Sequence, residues 1–452
     1  MYFLWKERHQ LINELTYNPE FKKYTEILFE IFKLSRIPEN HKNSQVIYEV
    51  QKNIWTIIVY FESLLKPAIK DAKDKGIDDY NDDLNIFAYK IIIRIARTIV
   101  DGIVWRNIGY RRSWAKILSH NKRNSLDVNF DRLLEAAEAC VGIYIPIISD
   151  LTETVRIWDL LFIDKDGFPL ITEAKNGKDG KLDLYNLHTI NKNQPPTKQI
   201  LKLIDTQYLI FSGEIDSINT KIEDNSAIVP YRYFNEIRNG IAKAEDVGCW
   251  VGRLNKIMSV RIIDSEKIWK LKGDKLERYL NRAKKLISTN EENSIMSFSN
   301  LDMLQIENNH IFGWLTPYSI FPFDDRTAMK LMTWELQIVT YINIKSLCRC
   351  FEENGWNVTL HETTNDNISR QARNFSALFW LAHADDTFMT IKKEDWYFQT
   401  IPSLEIMRLW HEFLSPKTML ETANHLYKVA KRWPKQNKGY AIDFIADNQI
   451  FV

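Results

Sequence analysis

The N-terminal quarter of the chain carries apolar side chains at every third or fourth position, the spacing that places them on one face of an α-helix. Polar breaks at residues 38–44 and 71–83 are where connections between helices are expected. We therefore predict a mainly helical N-terminal domain over residues 1–125. Its clearest helical patterns cover residues 24–32, 47–65 and 84–100.

The pattern changes between residues 143 and 212, where the apolar residues form short continuous runs. Two of these runs, residues 155–163 and 168–174, flank the turn-like sequence Asp-Lys-Asp-Gly, and this order predicts a β-hairpin. Two prolines followed by helically spaced apolar residues predict a helix over residues 195–211. Strands followed by a helix indicate an α/β unit, in which a mixed sheet is flanked by helices.

The second half of the chain alternates between helical spacing of apolar residues and the short apolar runs typical of strands. Further strands are predicted over residues 246–263, and a charged, exposed helix over residues 267–288. The polar stretch that follows is the best candidate for a domain boundary, which gives a core with its extension at residues 126–290 and a C-terminal domain at residues 291–452. We expect the C-terminal domain to be a mostly helical α+β unit with a recognition or regulatory role. Its patterns predict helices at residues 326–351 and 404–431 and a strand at residues 356–360.

Composition and charge narrow the possible partners and cellular settings of the protein. The 452 residues include 60 Lys and Arg against 59 Asp and Glu, so any affinity for a polyanion must come from local patches and not from the net charge of +1. Four cysteines are too few for a disulfide framework, which favours a reducing, cytoplasmic setting. No apolar stretch approaches the roughly 18 residues that a membrane span needs, so we expect no membrane association.

Several common catalytic motifs are missing from the sequence. It contains no phosphate-binding loop of nucleoside triphosphatases, no dinucleotide-binding glycine pattern and no nucleophile elbow of hydrolases. The pairs at His361 and His411, each followed by Glu, begin like zinc-protease motifs but lack the second histidine. These classes of enzyme are therefore disfavoured.

The informative chemistry lies in the predicted hairpin. Asp159 and Glu173 are embedded in apolar strands, where an uncompensated carboxylate would cost several kcal/mol as an order of magnitude. If the hairpin has a three-residue loop with Gly167 in the left-handed position, Asp159 lies directly across from Glu173 and Lys175 belongs to the same face. A four-residue loop would instead place the two carboxylates on opposite faces. With the first register, the two carboxylates could hold one divalent cation, as metal-assisted hydrolysis of a phosphodiester requires.

These residues resemble the Asp…Glu-X-Lys core of the PD-(D/E)XK nuclease superfamily, which includes many restriction endonucleases. The resemblance covers about residues 130–215, and Trp158 stands where the superfamily's proline would be. It implies that Asp159 and Glu173 are catalytic metal ligands for Mg²⁺, with Mn²⁺ as a substitute, and that Lys175 is the catalytic lysine. A carboxylate from the preceding helix often completes such sites; Glu135 and Glu138 are the candidates, with Glu138 preferred. The helix after the motif would bring further polar residues to the nucleic acid, here Lys198, Gln199 and Lys202.

A basic run directly upstream of this core suggests contacts with phosphate groups. It contains no acidic residue, and an equally good interpretation is a solvated helix face. A second basic stretch, residues 428–438, is a weaker candidate, because cations also favour helix C-termini. The cations of the first run are Arg106, Arg111, Arg112, Lys116, Lys122 and Arg123.

The sequence therefore predicts an endonuclease that hydrolyses DNA, with RNA as a substrate left open, in restriction or another anti-phage defence. A non-catalytic nucleic-acid-binding or interaction protein that retains a nuclease-like fold is the alternative, and a scaffold in which the two carboxylates are structural is a third interpretation. Cutting both strands of a duplex with one site per chain commonly requires two chains, so a homodimer is compatible with the first hypothesis.

Overall fold

Helices and antiparallel sheets alternate along the chain, so the protein is of the mixed α/β class, as predicted. The computed structural model describes residues 14–15, 17–76, 83–110, 115, 118, 130–156, 159–176, 182–185, 214–215, 220–221, 230–268, 278, 281, 295–300, 316–361, 387–394 and 397–432. The helices in these ranges are α1 (Pro19–Arg36), α2 (Ser44–Asp74), α3 (Leu84–Asn107), α4 (Phe130–Glu138), α5 (Phe234–Val247), α6 (Ser265–Ile268), α7 (Asp325–Met332), α8 (Ile344–Glu352), α9 (Ser403–His411) and α10 (Pro416–Arg432). Within the described part of the chain, no helix is both long and apolar enough to cross a membrane.

The three predicted N-terminal helices are confirmed, and their starting points have a clear cause. Helix α1 begins after Asn18, whose side chain accepts hydrogen bonds from the N–H groups of Glu20 and Phe21 at 3.0 Å each. Asn43 caps α2 and Asp83 caps α3 in the same way. Polar residues that looked like connections in the sequence therefore end one helix and cap the next.

The first sheet has the strand order β1 (Ile145–Ile148), β2 (Leu160–Ile163), β3 (Pro169–Asn176) and β4 (Leu182–Tyr185), with every described pairing antiparallel. A mixed sheet was predicted, and the described strands contain no parallel pairing in this sheet. The predicted helix over residues 195–211 lies outside the described residues.

Helix α2 is joined to the edge of this sheet through one buried side chain. Gln51 donates its amide N–H to the carbonyl oxygen of Pro146 at 2.6 Å and accepts the N–H of Ile148 at 2.8 Å. A glutamine amide has the same donor and acceptor as a peptide group, so Gln51 takes the place of a residue from a neighbouring strand. This contact fixes the helical layer on β1.

The second sheet has the order β7 (Cys249–Arg253), β8 (Met258–Asp264), β10 (Leu336–Asn343) and β9 (Ile295–Ser299), again antiparallel. Strands β7 and β8 confirm the prediction for residues 246–263. The helical pattern predicted over residues 326–351 is confirmed at its ends by α7 and α8 and is wrong for β10 between them. The apolar residues of β10 are buried on both faces in the middle of the sheet and lack any alternation that would mark a strand.

A third sheet joins β11 (Asn357–Leu360), β12 (Thr387–Lys393) and β13 (Tyr397–Pro402), and it is followed by α9 and α10. The strand predicted over residues 356–360 is confirmed. The single helix predicted over residues 404–431 is divided in two, because residues 412–415 leave the helix and Phe413 adopts a φ of +53° before α10 begins at Pro416. A short ladder, β5 (Glu214–Ile215) with β6 (Thr220–Lys221), completes the described strands.

The described residues group around two hydrophobic cores. The first contains α1 to α4 together with the first sheet, so the predicted division at residue 125 falls inside one core. The second contains α5, the second and third sheets and the C-terminal helices. The predicted boundary near residue 290 falls between β8 and β9, which belong to one sheet through β10.

The two cores meet where α3 passes a short 3-10 helix at Tyr318–Ile320. Gly102 permits the close approach, because a Cβ at this position would lie 2.4 Å from the Oγ of Ser319. That hydroxyl donates to the carbonyl oxygen of Thr98 at 2.7 Å. An ion pair between Arg36 and Asp325 at 3.3 Å adds a second connection.

Candidate active site

The β2–β3 hairpin brings together the two carboxylates that the sequence singled out. Leu160 pairs with Thr172 and Ile163 with Pro169, and the same register continued by one residue sets Asp159 opposite Glu173. This is the register that requires the three-residue loop. Directly opposed residues of an antiparallel pair have β-carbons about 5 Å apart and share one face of the sheet.

The loop adopts this register because of Asp164 and Gly167. The Asp164 side chain accepts the N–H groups of Asp166 at 2.8 Å and Phe168 at 2.9 Å, and its own N–H donates to the Phe168 carbonyl at 3.1 Å. Gly167 has a φ of +87°, and a Cβ there would meet the carbonyl oxygen of Asn107 at 3.0 Å. Both the turn and its contact with α3 therefore require glycine.

Asp159 is held between two strands. Its Oδ2 accepts the N–H of Ala174 in β3 at 2.8 Å, and its carbonyl oxygen accepts the N–H of Ser149, directly after β1, at 3.1 Å. The carboxylate therefore lies against the backbone of the Glu173–Lys175 segment. Glu173 is 6% exposed in the middle of the sheet, so its carboxyl group is largely removed from bulk water.

Lys175 also belongs to β3. Positions 173 and 175 are two residues apart in a continuous strand, so they fall on the same face of the sheet. Lys175 pairs with Asp183 of β4 in the backbone register. The strand thus provides the order of carboxylate and lysine positions that the sequence predicted.

Glu138, the predicted third ligand, is exposed at the end of α4. It lies beside Tyr48 of α2, whose pKa is raised by burial and then by the charge of Glu138. Over the described residues, no group of three His, Cys, Asp or Glu side chains is placed to hold a metal ion. Glu138 as a third ligand therefore stays a prediction, and the structure places this residue next to α2.

Arg106, a predicted nucleic-acid contact, is turned toward the interior of the protein. Its guanidinium donates to the carbonyl oxygens of Ser35 at 3.0 Å and Ser319 at 3.1 Å, so it links α1 to the joint between the cores. Burial lowers its pKa to about 10. The remaining predicted contacts of this kind, Arg111, Arg112, Lys116, Lys122, Arg123, Lys198, Gln199 and Lys202, lie outside the described residues.

The sequence interpretation missed the residue that organises the approach to Asp159. Asp101 of α3 accepts the N–H groups of Glu153 at 2.9 Å and Thr154 at 2.7 Å, and also the hydroxyl of Thr152. Burial, and then the charge of Glu153, raises the pKa of Asp101 to about 6. A lone aspartate within the apolar sequence of α3 was the signal that could have identified it.

Charged residues reinforce the same segment. Arg97 of α3 pairs with Glu62 of α2 at 3.1 Å and with Glu153 at 3.7 Å, and Arg156 also pairs with Glu153. The N–H of Arg156 donates to the carbonyl oxygen of Leu118 at 2.8 Å. Residues 153 and 156, which precede β2 in the sequence, are therefore tied to α3 and, through Arg97, to α2.

Comparison with known proteins provides no relative whose function could guide the interpretation of this geometry. No family model matches the sequence, and no curated protein or solved structure matches it either. The chemistry of the hairpin is therefore the basis on which a function can be proposed.

Proposed function

We propose that the chain is a metal-dependent endonuclease that hydrolyses phosphodiester bonds in DNA. The observation that supports this most directly is the register of the hairpin, which sets Asp159 opposite Glu173 on strands buried in a hydrophobic core. Glu173 is largely buried and Asp159 is half-buried, so a divalent cation between the two carboxylates would reduce the repulsion between them.

Mg²⁺ fits the donor set. This ion takes oxygen ligands and is commonly bound by one or two carboxylates, with waters and substrate phosphates in its other positions. Asp159 and Glu173 would therefore hold it, and Mn²⁺ would substitute. When bound, the ion would neutralise a phosphate group and lower the pKa of an attacking water.

Three residues of the chain would each have a separate role in the reaction. Asp159 is fixed by the N–H of Ala174, so its carboxylate keeps one orientation when a phosphate approaches. An ammonium group at position 175 would stabilise the negative charge that develops on the phosphate oxygens. Asp101 would act as a positioning residue, because it fixes residues 152–154 in the segment that leads to Asp159.

The setting we propose, restriction or another anti-phage defence, follows from the resemblance to restriction-like nucleases. A non-catalytic nucleic-acid-binding protein with the same fold is the second candidate. It is favoured by one observation: the described residues supply two carboxylates to the site and no third metal-binding side chain.

Cleavage assays separate these functions. Plasmid, linear duplex, single-stranded DNA and RNA are incubated with Mg²⁺ or Mn²⁺ and the full chain, with EDTA as a control. We expect metal-dependent cutting of DNA by the wild type and its loss in Asp159→Ala, by at least about a hundredfold, since metal-assisted hydrolysis depends on that ligand.

The matched control is Asp166→Asn, which removes an exposed carboxylate from the tip of the same hairpin. It should cut at the wild-type rate. Cutting by Asp159→Ala at that rate would refute the site. Binding of nucleic acid by the wild type without cutting on any substrate would favour the second candidate.

A further inference from the structure

The end of strand β1 adds a polar residue to the row of the sheet that contains the two carboxylates. Strands β1 and β2 are paired as far as Ile148 and Leu160. The same register continued by one residue sets Ser149 beside Asp159, and the N–H of Ser149 donates to the Asp159 carbonyl oxygen at 3.1 Å. On the other side of Asp159, the row continues to Glu173. Residues in one row share a face of the sheet, and the β-carbons of neighbours lie about 5 Å apart.

Within the described chain, the buried hydroxyl of Ser149 lacks a hydrogen-bond partner. Ser149 is 6% exposed, and its Oγ donates to neither carboxylate of the row. A buried hydroxyl that makes no hydrogen bond is unfavourable, because it has lost its contacts with bulk water. Such a group in a native fold therefore calls for a partner that does not belong to the chain.

The backbone fixes the position of this side chain. The carbonyl oxygen of Ser149 accepts the N–H of Thr152 at 3.1 Å, which closes the 3-10 turn at Ser149–Leu151. Thr152 in turn donates its hydroxyl to Asp101 of α3. Ser149 is therefore held beside Asp159 by backbone hydrogen bonds on both sides, and Asp101 supports it through this turn.

We propose that Ser149 belongs to the cation site and that its hydroxyl binds a water ligand of the ion held at Asp159 and Glu173. Mg²⁺ loses its water ligands reluctantly and keeps several of them when one or two carboxylates bind it. Groups around a metal site orient such ligands by hydrogen bonds, and a serine hydroxyl can both accept and donate. The inference rests on the proposed function in taking a divalent cation as the ligand. Ser149 is a positioning residue, because it acts on the ion through water.

The neighbours of the hydroxyl favour a hydrated cation over an anion. Two acidic residues occupy the same row, so an anion in direct contact with Ser149 would be repelled by them. A single buried water without an ion is the alternative partner. In that case the affinity of the protein for metal would not depend on Ser149.

Isothermal titration calorimetry of the full chain with Mn²⁺ measures the affinity of the site for the ion alone. We expect Ser149→Ala to weaken Mn²⁺ binding by about ten- to one-hundredfold, the usual cost of losing a group that orients a metal ligand. The urea midpoint in EDTA should stay at the wild-type value or rise, because this hydroxyl has no hydrogen bond to lose within the described chain. A clear fall of that midpoint would show a structural hydrogen bond and overturn the proposal.

Thr172→Val is the matched control. Thr172 is fully buried in β3, and its Oγ1 likewise has no hydrogen-bond partner among the described residues. It directly precedes Glu173 in the strand, so it lies on the opposite face of the sheet. Removal of this hydroxyl should leave the affinity for Mn²⁺ within about twofold of the wild-type value. Equal weakening by both variants would overturn the proposal, since the position of the hydroxyl would then not matter.

The titrations also separate this proposal from the nuclease hypothesis. If Asp159→Ala weakens Mn²⁺ binding and Ser149→Ala does not, the role of Ser149 is refuted and the nuclease still stands. If Ser149→Ala weakens binding but the wild type cuts no substrate at saturating Mn²⁺, the role of Ser149 is supported and the nuclease is refuted. Wild-type binding that is absent, or that Asp159→Ala leaves unchanged, would overturn both.

Discussion

Buried charges occur in both units, but they are arranged differently. In the C-terminal unit, Arg408 contacts Glu405 at 3.1 Å and Glu412 at 3.0 Å, and Arg232 contacts Glu412 at 3.2 Å. These four side chains are at most 4% exposed and carry equal numbers of positive and negative charges. In the hairpin, by contrast, the paired residues end at Leu160 and Thr172, and the next positions in the same register hold two residues of the same sign, Asp159 and Glu173.

A structural ion-pair network can thus be compared with the carboxylate pair that we propose as a metal site. The C-terminal network is internally neutral, and the Thr316 hydroxyl donates to Glu412 at 2.8 Å, so it needs nothing from outside the chain. The hairpin pair brings together two acidic residues, and we propose it as the site of a bound cation. Loss of one residue should therefore damage folding in the first case and function in the second.

The largest effect is expected for Arg408→Ala. Removing one partner of a buried pair leaves a carboxylate in a low-dielectric environment, which typically costs about 3–5 kcal/mol. We expect the free energy of unfolding, measured with urea, to fall by this amount. Lys417→Ala, which breaks the exposed pair with Glu421, should cost no more than about 0.5 kcal/mol. If both variants lost a similar amount of unfolding free energy, the buried network would be no more important for stability than the exposed pair.

A smaller, pH-dependent effect is expected for Asp101→Asn. Because the pKa of Asp101 in the folded chain is about 6, above its ordinary value of 3.8, the folded state binds this proton more tightly. The wild type should therefore lose stability as pH rises from about 4 to 6, and the loss should be complete above that range. Asparagine cannot ionise, so the stability of the Asp101→Asn protein relative to the wild type should rise over the same range by about 1–3 kcal/mol.

This prediction is checked by urea titrations of both proteins at several pH values between 4 and 7. The carbonyl oxygen of asparagine can still accept from Thr154, so the segment should keep its fold. A constant difference between the two unfolding curves would show that Asp101 does not ionise in this interval.

The smallest effect on stability is expected for Glu173→Gln. The substitution relieves the repulsion from Asp159 and keeps the shape of the side chain, so unfolding free energy should change by less than about 1 kcal/mol. Cleavage should nevertheless be lost, as followed with plasmid DNA. A loss of stability near that of Arg408→Ala would identify Glu173 as a structural ion-pair member and place the hairpin in the same class as the C-terminal network.

The sequence predicted local structure where one residue determines it. The hairpin loop at Gly167 follows from the residues of the turn itself, and the predicted break at residues 38–44 contains Asn43, which caps α2. The position of Asp159 opposite Glu173 then followed from counting residues. These features depend on interactions within about five residues or across one hairpin.

Features set by distant contacts were missed. Strand β10 looks helical because both of its faces are buried, so only its neighbours β8 and β9 identify it as a strand. Arg106 looked like a surface cation until Ser319, 213 residues away, was placed beside it. Glu138 has the right residue type, but its helix packs so that it meets Tyr48.

The amide of Gln51 has a consequence for assembly. Strand β1 is an edge of its sheet, and Pro146 has no N–H, while its carbonyl group and the N–H of Ile148 are already bonded to Gln51. A second copy of the chain therefore has no row of donors and acceptors with which to extend the sheet across β1. Two subunits that cut opposite strands of a duplex would have to associate through another surface, and polymerisation by strand addition at this edge is prevented.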